Sequence, residues 1–269
     1  MRPEKLYFAS DVHLGMFPEN NSKNRERIFV KWLEEISLDA TEIFLLGDIF
    51  DFWYEYPKVV PRGFTRFLGK ISEICDKNIP VHFFTGNHDG WVFDYLHRET
   101  GMIIHRDIFE TERFGKKILM GHGDGLGPEE YGYRLMKKAM HFRWAEWVFS
   151  HIISPNLGVS LAHCWSKHSR LSKGLKETFQ GLDKEYQIAY CYQVLQKKTF
   201  DYFIFGHRHL AMDVPLNEQS RYLCLGEWVE GYTYAEMDSS GLRLKSCHGH
   251  EEMIFRYSGD PVNTGSHSI

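Results

Sequence analysis

Short, nearly continuous apolar runs recur along the chain at KLYFAS (5–10), EIFLLG (42–47), VHFFTG (81–86), KKILMGHG (116–123) and DYFIFGHRH (201–209), each the length of a buried strand. Between them the apolar spacing widens to the helical period. Ile28, Phe29, Trp32, Leu33 and Ile36 make one stripe, predicting a helix over 24–38. Phe64, Phe67, Leu68, Ile71, Ile74 and Cys75 make a second, and Ile188, Ala189, Tyr192 and Leu195 a third within 186–197. Strand and helix signals in alternation predict an α/β fold. RYLCLGEW (221–228) and GYTYAEMD (231–238) read as a closing hairpin, with further short strands after it. The final SGDPVNTGSHSI (258–269) is polar and aperiodic, as a frayed tail would be.

Residues 125–185 break this rhythm. They carry helical, aromatic and basic character and no strand signal. The expected organisation is therefore a core formed by 1–124 and 186–257, a helical cap inserted at 125–185, and a tail at 258–269. No internal repeat or low-complexity segment is visible.

Composition adds one asymmetry. Apolar residues are 43% and charged residues 25% of the 269, ordinary for a water-soluble globular chain, and the formal net charge is −4. Residues 134–176, however, hold eight Lys or Arg against the single acid Glu146, while the rest of the chain holds 24 basic and 35 acidic residues. A basic island on an acidic body suits a local anionic partner, and equally a solvated helix face. Five dispersed cysteines without a C-x-x-C pair fit a reducing compartment. The opening MRPEKLYFASD has no apolar core before a cleavage site, so no signal peptide is expected, and no apolar window is long enough to span a bilayer.

The chemistry lies where the strands end. Asp11 and His13 follow the first, Asp48 the second, Asn87 and His88 the third, His122 the fourth, and His207 and His209 the fifth. In sheets flanked by helices, sites gather beyond the carboxyl ends of strands. Each motif alone has a bland reading: a turn, an Asx cap, or a satisfied core histidine. Five in the same context are not independent accidents, and they point to a metal site. Imidazole, carboxylate and amide oxygen suit Mn, Fe or Zn. Seven candidate ligands (Asp11, His13, Asp48, Asn87, His122, His207 and His209) are too many for one ion and fit two ions sharing one carboxylate, an arrangement that clamps a phosphoryl group.

The ordered set D-x-H, G-D, G-N-H-D, H-G-D and G-H-x-H, from Asp11 to His209, resembles the calcineurin-like metallophosphoesterases. That resemblance implies a four-layer αββα metallophosphoesterase sandwich with the helical cap inserted. It implies Asp11, His13, Asp48 and His209 around one metal, and Asp48, Asn87, His122 and His207 around the other. His88 would face the transferring phosphate or protonate the leaving oxygen, with Asp48 its catalytic partner as the bridge. Asp89 and Asp124 would orient imidazoles or loop backbone. Gly-Asp-Xaa-Xaa-Asp-Arg-Gly, usual in the Ser/Thr phosphatases of the superfamily, is absent, because Asp51 precedes Phe52 and Trp53.

GDIFDFW, HGDGLGPEEYGYR and the cap run SKHSRLSK further resemble the UDP-2,3-diacylglucosamine diphosphatases of lipid A biosynthesis. This narrower resemblance implies hydrolysis of the pyrophosphate of an acylated nucleotide sugar to UMP and 2,3-diacylglucosamine 1-phosphate. It implies two divalent cations, Mn²⁺ before Fe or Zn. It places Asn87, His88, Tyr133, Ser166 and Lys173 against substrate, and the enzyme in the cytoplasm, in peripheral contact with the inner membrane of a Gram-negative bacterium. His88 stands where the well-studied branch has Arg, and His163 stands three residues before Ser166 where that branch also has Arg. The cap's own residues offer two readings. Phe142, Trp144, Trp147, Val148, Phe149, Ile152 and Ile153, interleaved with Lys137, Lys138 and Arg143, suit acyl chains and anionic headgroups, or a cap packed on its own body. The competing functions are a generic phosphodiesterase, phosphatase or nuclease of the same superfamily, and a metal-free scaffold, which the complete ligand set disfavours. No nucleic acid partner is expected. His248 and His250 mimic G-H-x-H without a preceding apolar strand and are assigned to the surface.

Overall fold

The computed structural model describes residues 4–127, 154–158, 178–179 and 181–257. Tyr133, Ser166 and Lys173, and most of the segment expected to form the cap, lie outside them.

Strands β1 (Lys5–Ala9), β2 (Ala40–Leu46), β3 (Val81–Phe84) and β4 (Ile103–His105) run parallel, connected through helices α1 (Glu19–Ile36), α2 (Thr65–Asp76) and α3 (Tyr95–Thr100). A second set is built from β5 (Phe109–Arg113), β6 (Lys116–Gly121), β7 (Tyr202–Phe205), β8 (Ala211–Pro215) and β9 (Arg221–Leu225), with α4 (Tyr186–Leu195) leading into β7. Here β6, β7 and β9 are parallel, while β5 and β8 flank them antiparallel. The chain then returns to the first sheet as β10 (Thr233–Asp238), antiparallel to β1, and β11 (Gly241–Ser246). β12 (Phe255–Arg256) closes the second sheet beside β8. The two six-stranded sheets have orders β11-β10-β1-β2-β3-β4 and β12-β8-β9-β7-β6-β5.

The period-two alternation of the strands assigns the layers. Leu6, Phe8, Phe44, Leu46 and Phe84 of the first sheet meet Ile118, Met120, Ile204, Leu223 and Leu225 of the second. Tyr7, Ala9, Ile43, Leu45 and Phe83 turn the other way, onto Phe29, Trp32 and Leu33 of α1 and Phe67, Ile71 and Ile74 of α2. Leu119, Phe203, Phe205, Tyr222 and Cys224 cover Ile188 and Cys191 of α4. The result is the four-layer αββα sandwich. The apolar runs are continuous because their strands are buried on both faces.

Three expectations are corrected. Helix α1 begins at Glu19, since a polar first turn after Pro18 precedes the stripe. The segments 221–228 and 231–238 do not form a hairpin: β9 lies in the second sheet and β10 in the first, and residues 226–232 carry the chain from one sheet to the other. Both segments are apolar because each packs into the inter-sheet core, through Leu223 and Leu225 and through Ala235 and Met237. His248 and His250 are exposed, but a strand does precede them: β11, at the sheet edge with β10 between it and β1.

Candidate metal centre

The carboxyl ends of β1, β2 and β3 in one sheet and β6 and β7 in the other converge. The backbone is bent sharply there. Asp11, His13, Asp48, His207 and His209 all hold left-handed φ, at 54°, 49°, 52°, 69° and 53°. Such backbone is costly for residues with a Cβ and clusters at functional sites. The loops also approach closely. A Cβ on Gly86 would run into Asp48 Oδ1 and the Asp48 backbone nitrogen, and one on Gly206 would lie 2.5 Å from Asp11 Oδ2. Only glycine allows the strand ends to sit this near one another.

The side chains form overlapping groups. Asp11, His13, Asp48 and His209 bring one donor atom each within 4.8 Å of one another, and Asp48, His122 and His207 do the same. Asp48 belongs to both. Asn87, exposed at the mouth, joins the second group, its Oδ1 3.2 Å from His122 Nε2. His207 Nδ1 is 3.2 Å from the same Nε2, and Asp48 Oδ2 is 3.4 Å from it. In the first group His209 Nε2 lies 3.1 Å from both His13 Nε2 and Asp11 Oδ1. The seven sequence-predicted ligands are thus gathered into one crevice, in two clusters that meet at one carboxylate.

This donor set fits divalent metal ions. His122 Nδ1–H donates to the Leu46 carbonyl at 2.9 Å, which turns its Nε2 lone pair toward three other lone-pair-bearing atoms. Asp11 Oδ1, 3.1 Å from His209 Nε2, and His13 Nδ1, 3.6 Å from Asp51 Oδ1, are both buried and face their neighbours without a well-formed hydrogen bond. So many converging acceptors demand a cation, and without a metal the protons respond. Burial opposes charging of His122, yet the Asp48 carboxylate outweighs it and pushes the imidazole up to about 10. Burial, and then the charge on His122, hold His207 down at about 3.

The profile of the calcineurin-like phosphoesterases matches residues 4–211, most of the chain. This chain belongs to the calcineurin-like phosphoesterases. The UDP-2,3-diacylglucosamine hydrolase of Porphyromonas gingivalis is 37% identical over 259 residues, covering 90% of this chain and 97% of that protein. The hydrolase of the same name from Histophilus somni is 24% identical over 245 residues, covering 90% and 99%. Among solved structures, a dimetal phosphatase from Danio rerio matches 88% of this chain and 93% of its own at 12% identity and a TM-score of 0.46.

In this phosphoesterase the candidate ligands rest on a shell of buried polar groups. Asp89, fully buried, accepts hydrogen bonds from the backbone N–H of Gly86 (2.7 Å) and Asp48 (3.2 Å) through Oδ1, and of Ile49 (2.8 Å) and Phe50 (3.3 Å) through Oδ2. It ties the end of β3 to the Asp48 loop. Burial first, and then the Asp48 charge, raise its carboxyl to about 7. Asp48 itself stays well below the carboxylate range: burial opposes ionisation, but His122 and His88 outweigh it. For Asp11 burial is likewise overcome, chiefly by His209. Asp124, half-buried in the loop after β6, bears electrostatically on His122 and His207.

His88 lies outside these two clusters, in a third group in which His13, Asp51 and His88 bring one donor atom each within 4.8 Å of one another. Its Nδ1–H donates to the Asp51 carbonyl oxygen at 2.9 Å, and Nε2 is 4.0 Å from Asp48 Oδ2. Its side chain is 21% exposed, against 1% for those of Asp48 and His122, so it borders solvent at the crevice. Two contributors escaped the sequence reading. Asp51 stands 3.6 Å from His13 Nδ1 and 3.9 Å from His88 Nδ1. Its spacing of three from Asp48 was a usable signal. Arg25 of α1, buried, donates to the His13 carbonyl at 2.6 Å. Nothing in a helical stripe distinguishes such an arginine from a solvated one.

Proposed function

We propose that this phosphoesterase hydrolyses the pyrophosphate bond of UDP-2,3-diacylglucosamine, adding water across P–O–P to give UMP and 2,3-diacylglucosamine 1-phosphate, as a step of lipid A biosynthesis. The observation that carries the reading is Asp48, shared between two clusters whose donors fit two divalent ions. The substrate comes from the relatives named UDP-2,3-diacylglucosamine hydrolase, of which the one from Porphyromonas gingivalis aligns with nearly the whole chain.

The donor set suits Mn, Fe or Zn, and the resemblance to the diphosphatases favours Mn²⁺; two such ions, when bound, would supply positive charge at the phosphoryl oxygens and a water made nucleophilic near neutral pH. Asp11, His13, Asp48 and His209 would hold one, and Asp48, Asn87, His122 and His207 the other. His88 carries out the proton chemistry. With Nδ1–H engaged by the Asp51 carbonyl, Nε2 is the ring atom left to face substrate, and when protonated it donates to the leaving oxygen. Asp89 keeps the Asp48 and Asn87 loops in register, and Asp124 acts on His122 and His207 from behind. Tyr133, Ser166 and Lys173 of the cap are assigned to substrate contact by their match to the diphosphatase pattern. Among the described residues no helix is long and apolar enough to cross a membrane. The apolar and basic cap residues would bring the enzyme to the cytoplasmic face of the inner membrane, where a diacylated substrate resides.

Incubation with UDP-2,3-diacylglucosamine and Mn²⁺ is expected to release UMP, detectable by chromatography or phosphorus NMR. Hydrolysis of a simple diester such as bis(p-nitrophenyl) phosphate without UMP release would replace this reading by that of a general phosphodiesterase.

A further inference from the structure

Behind the His122 and His207 loops lies a buried amide that no ligand pattern includes. Gln187, the second residue of α4, is 1% exposed. Its Nε2 donates to the carbonyl of Gly123 at 3.2 Å and to that of Gly206 at 3.0 Å. Gly123 directly follows His122, and Gly206 directly precedes His207. Both protons of one NH₂ group therefore link the two loops that carry these imidazoles. The Gln187 Oε1 accepts from the Tyr222 hydroxyl at 2.6 Å, and Tyr222 is fully buried. The two carbonyls fix the amide orientation, since a flipped amide would set its oxygen against both, and the Tyr222 hydroxyl then donates to the remaining Oε1. The loop backbone lies hard against the amide, because a Cβ on Gly123 would run into Gln187 Nε2. The Gly206 N–H bonds the His122 carbonyl at 2.9 Å, closing the bridge.

We propose that Gln187 is a positioning residue for the cluster of Asp48, Asn87, His122 and His207, and that its amide sets metal affinity at that cluster separately from the cluster of Asp11, His13, Asp48 and His209. The proposal rests on the two-metal reading above. A primary amide at this point is demanding chemistry. Glutamate would present acceptors to two carbonyls, and an apolar residue would leave both carbonyls without their donor. The other cluster feels Gln187 less directly, through His209, three residues beyond Gly206 on the same loop, and through Asp11. The His207 N–H donates to Asp11 Oδ2 at 2.9 Å, while His13 is held from the opposite side of the sandwich by Arg25.

The test is a Mn²⁺ titration of the full chain by calorimetry, with paramagnetic resonance to separate an isolated ion from a spin-coupled pair. Wild type is expected to take two ions and show coupling. Gln187→Glu should keep one site and weaken the other by ~10–100-fold, the usual effect of removing an outer partner of metal ligands. At one equivalent it should show the uncoupled spectrum, and combination with His209→Ala should remove that signal as well. Tyr222→Phe, which conserves shape, should weaken the same site by a smaller factor, and it decides the matter if Gln187→Glu does not fold. Two wild-type affinities in both variants, or equal weakening of the two sites, would overturn the proposal. A wild-type chain saturating at one ion would instead overturn the two-metal reading beneath it.

Discussion

Asp11, His13, Asp48, His207 and His209 each hold left-handed backbone, with φ between 49° and 69°, a region that costs a residue bearing a Cβ roughly 1–2 kcal/mol. The sandwich sustains that strain because the bends aim donors from five strand ends into one crevice. Asp48 matters most at this scale, since it lies in both clusters. Asp48→Ala is expected to bind neither ion tightly and to lose turnover more completely than any other ligand variant, checked by metal analysis after Mn²⁺ reconstitution beside the UMP assay. His88→Ala should separate chemistry from metal binding, with kcat lower by ~10²–10⁴ and both ions retained. Loss of metal in that variant would make His88 a ligand instead. The candidate ligands were legible in the sequence because their types and their place after apolar runs are local properties. Asp51 was legible only as a spacing, since its approach to His13 and His88 depends on how the Asp48 loop turns.

At the scale of elements, α1 supports the strand end beneath it, and a loop residue supports the start of α3. Ser22 Oγ of α1 accepts from the Gly15 N–H at 2.6 Å, and Arg25 reaches the His13 carbonyl from the next turn. Glu55, buried after β2, accepts from the backbone N–H groups of Phe93, Asp94 and Tyr95 and so satisfies the start of α3. Replacing Arg25 by Met keeps the buried stem and deletes the charged donor. The expected loss is about 1.5–3 kcal/mol, the range for a hydrogen bond to a charged group, measured by urea unfolding of the metal-free chain. Helices α1, α2 and α4 were readable from their apolar period. The first turn of α1 and the short α3 were not, because a polar opening turn and a six-residue helix carry too little periodicity.

Across the whole molecule, the two sheets are joined by more than apolar contact. Arg113 of β5 grips Glu42 of β2 through two bonds, Nε to Oε1 at 2.7 Å and Nη2 to Oε2 at 2.9 Å. His82 of β3 lies 3.4 Å from the same carboxylate and 2.9 Å from His105 of β4. Burial opposes ionisation of Glu42, but His82 and Arg113 outweigh it and hold its carboxyl at about 2, against an ordinary 4.5. Its folded value is depressed, so the unfolded chain binds the proton more readily. The stability it contributes is present above pH 4.5 and is lost as pH falls from 4.5 toward 2. Allowing for partial solvent screening, Glu42→Gln should cost ~1–2 kcal/mol at pH 7. The gap to wild type should narrow in melts taken at pH 4 and pH 3. An undiminished gap would mean that packing, not charge, holds the staple.

The sequence by itself determined the strand-and-helix alternation, the seven candidate ligands and the family. Each is written in side-chain type and short-range spacing, which need no partner from elsewhere in the chain. Tertiary structure alone decided which sheet each late strand joins. An apolar run such as 221–228 is equally suited to either face of the inter-sheet core, and only the crossing at 226–232 selects one. It also decided that Arg25 and Gln187 stand behind the candidate ligands. A buried hydrogen bond between residues 64 apart, as between Gln187 and Gly123, leaves no periodic trace along the chain.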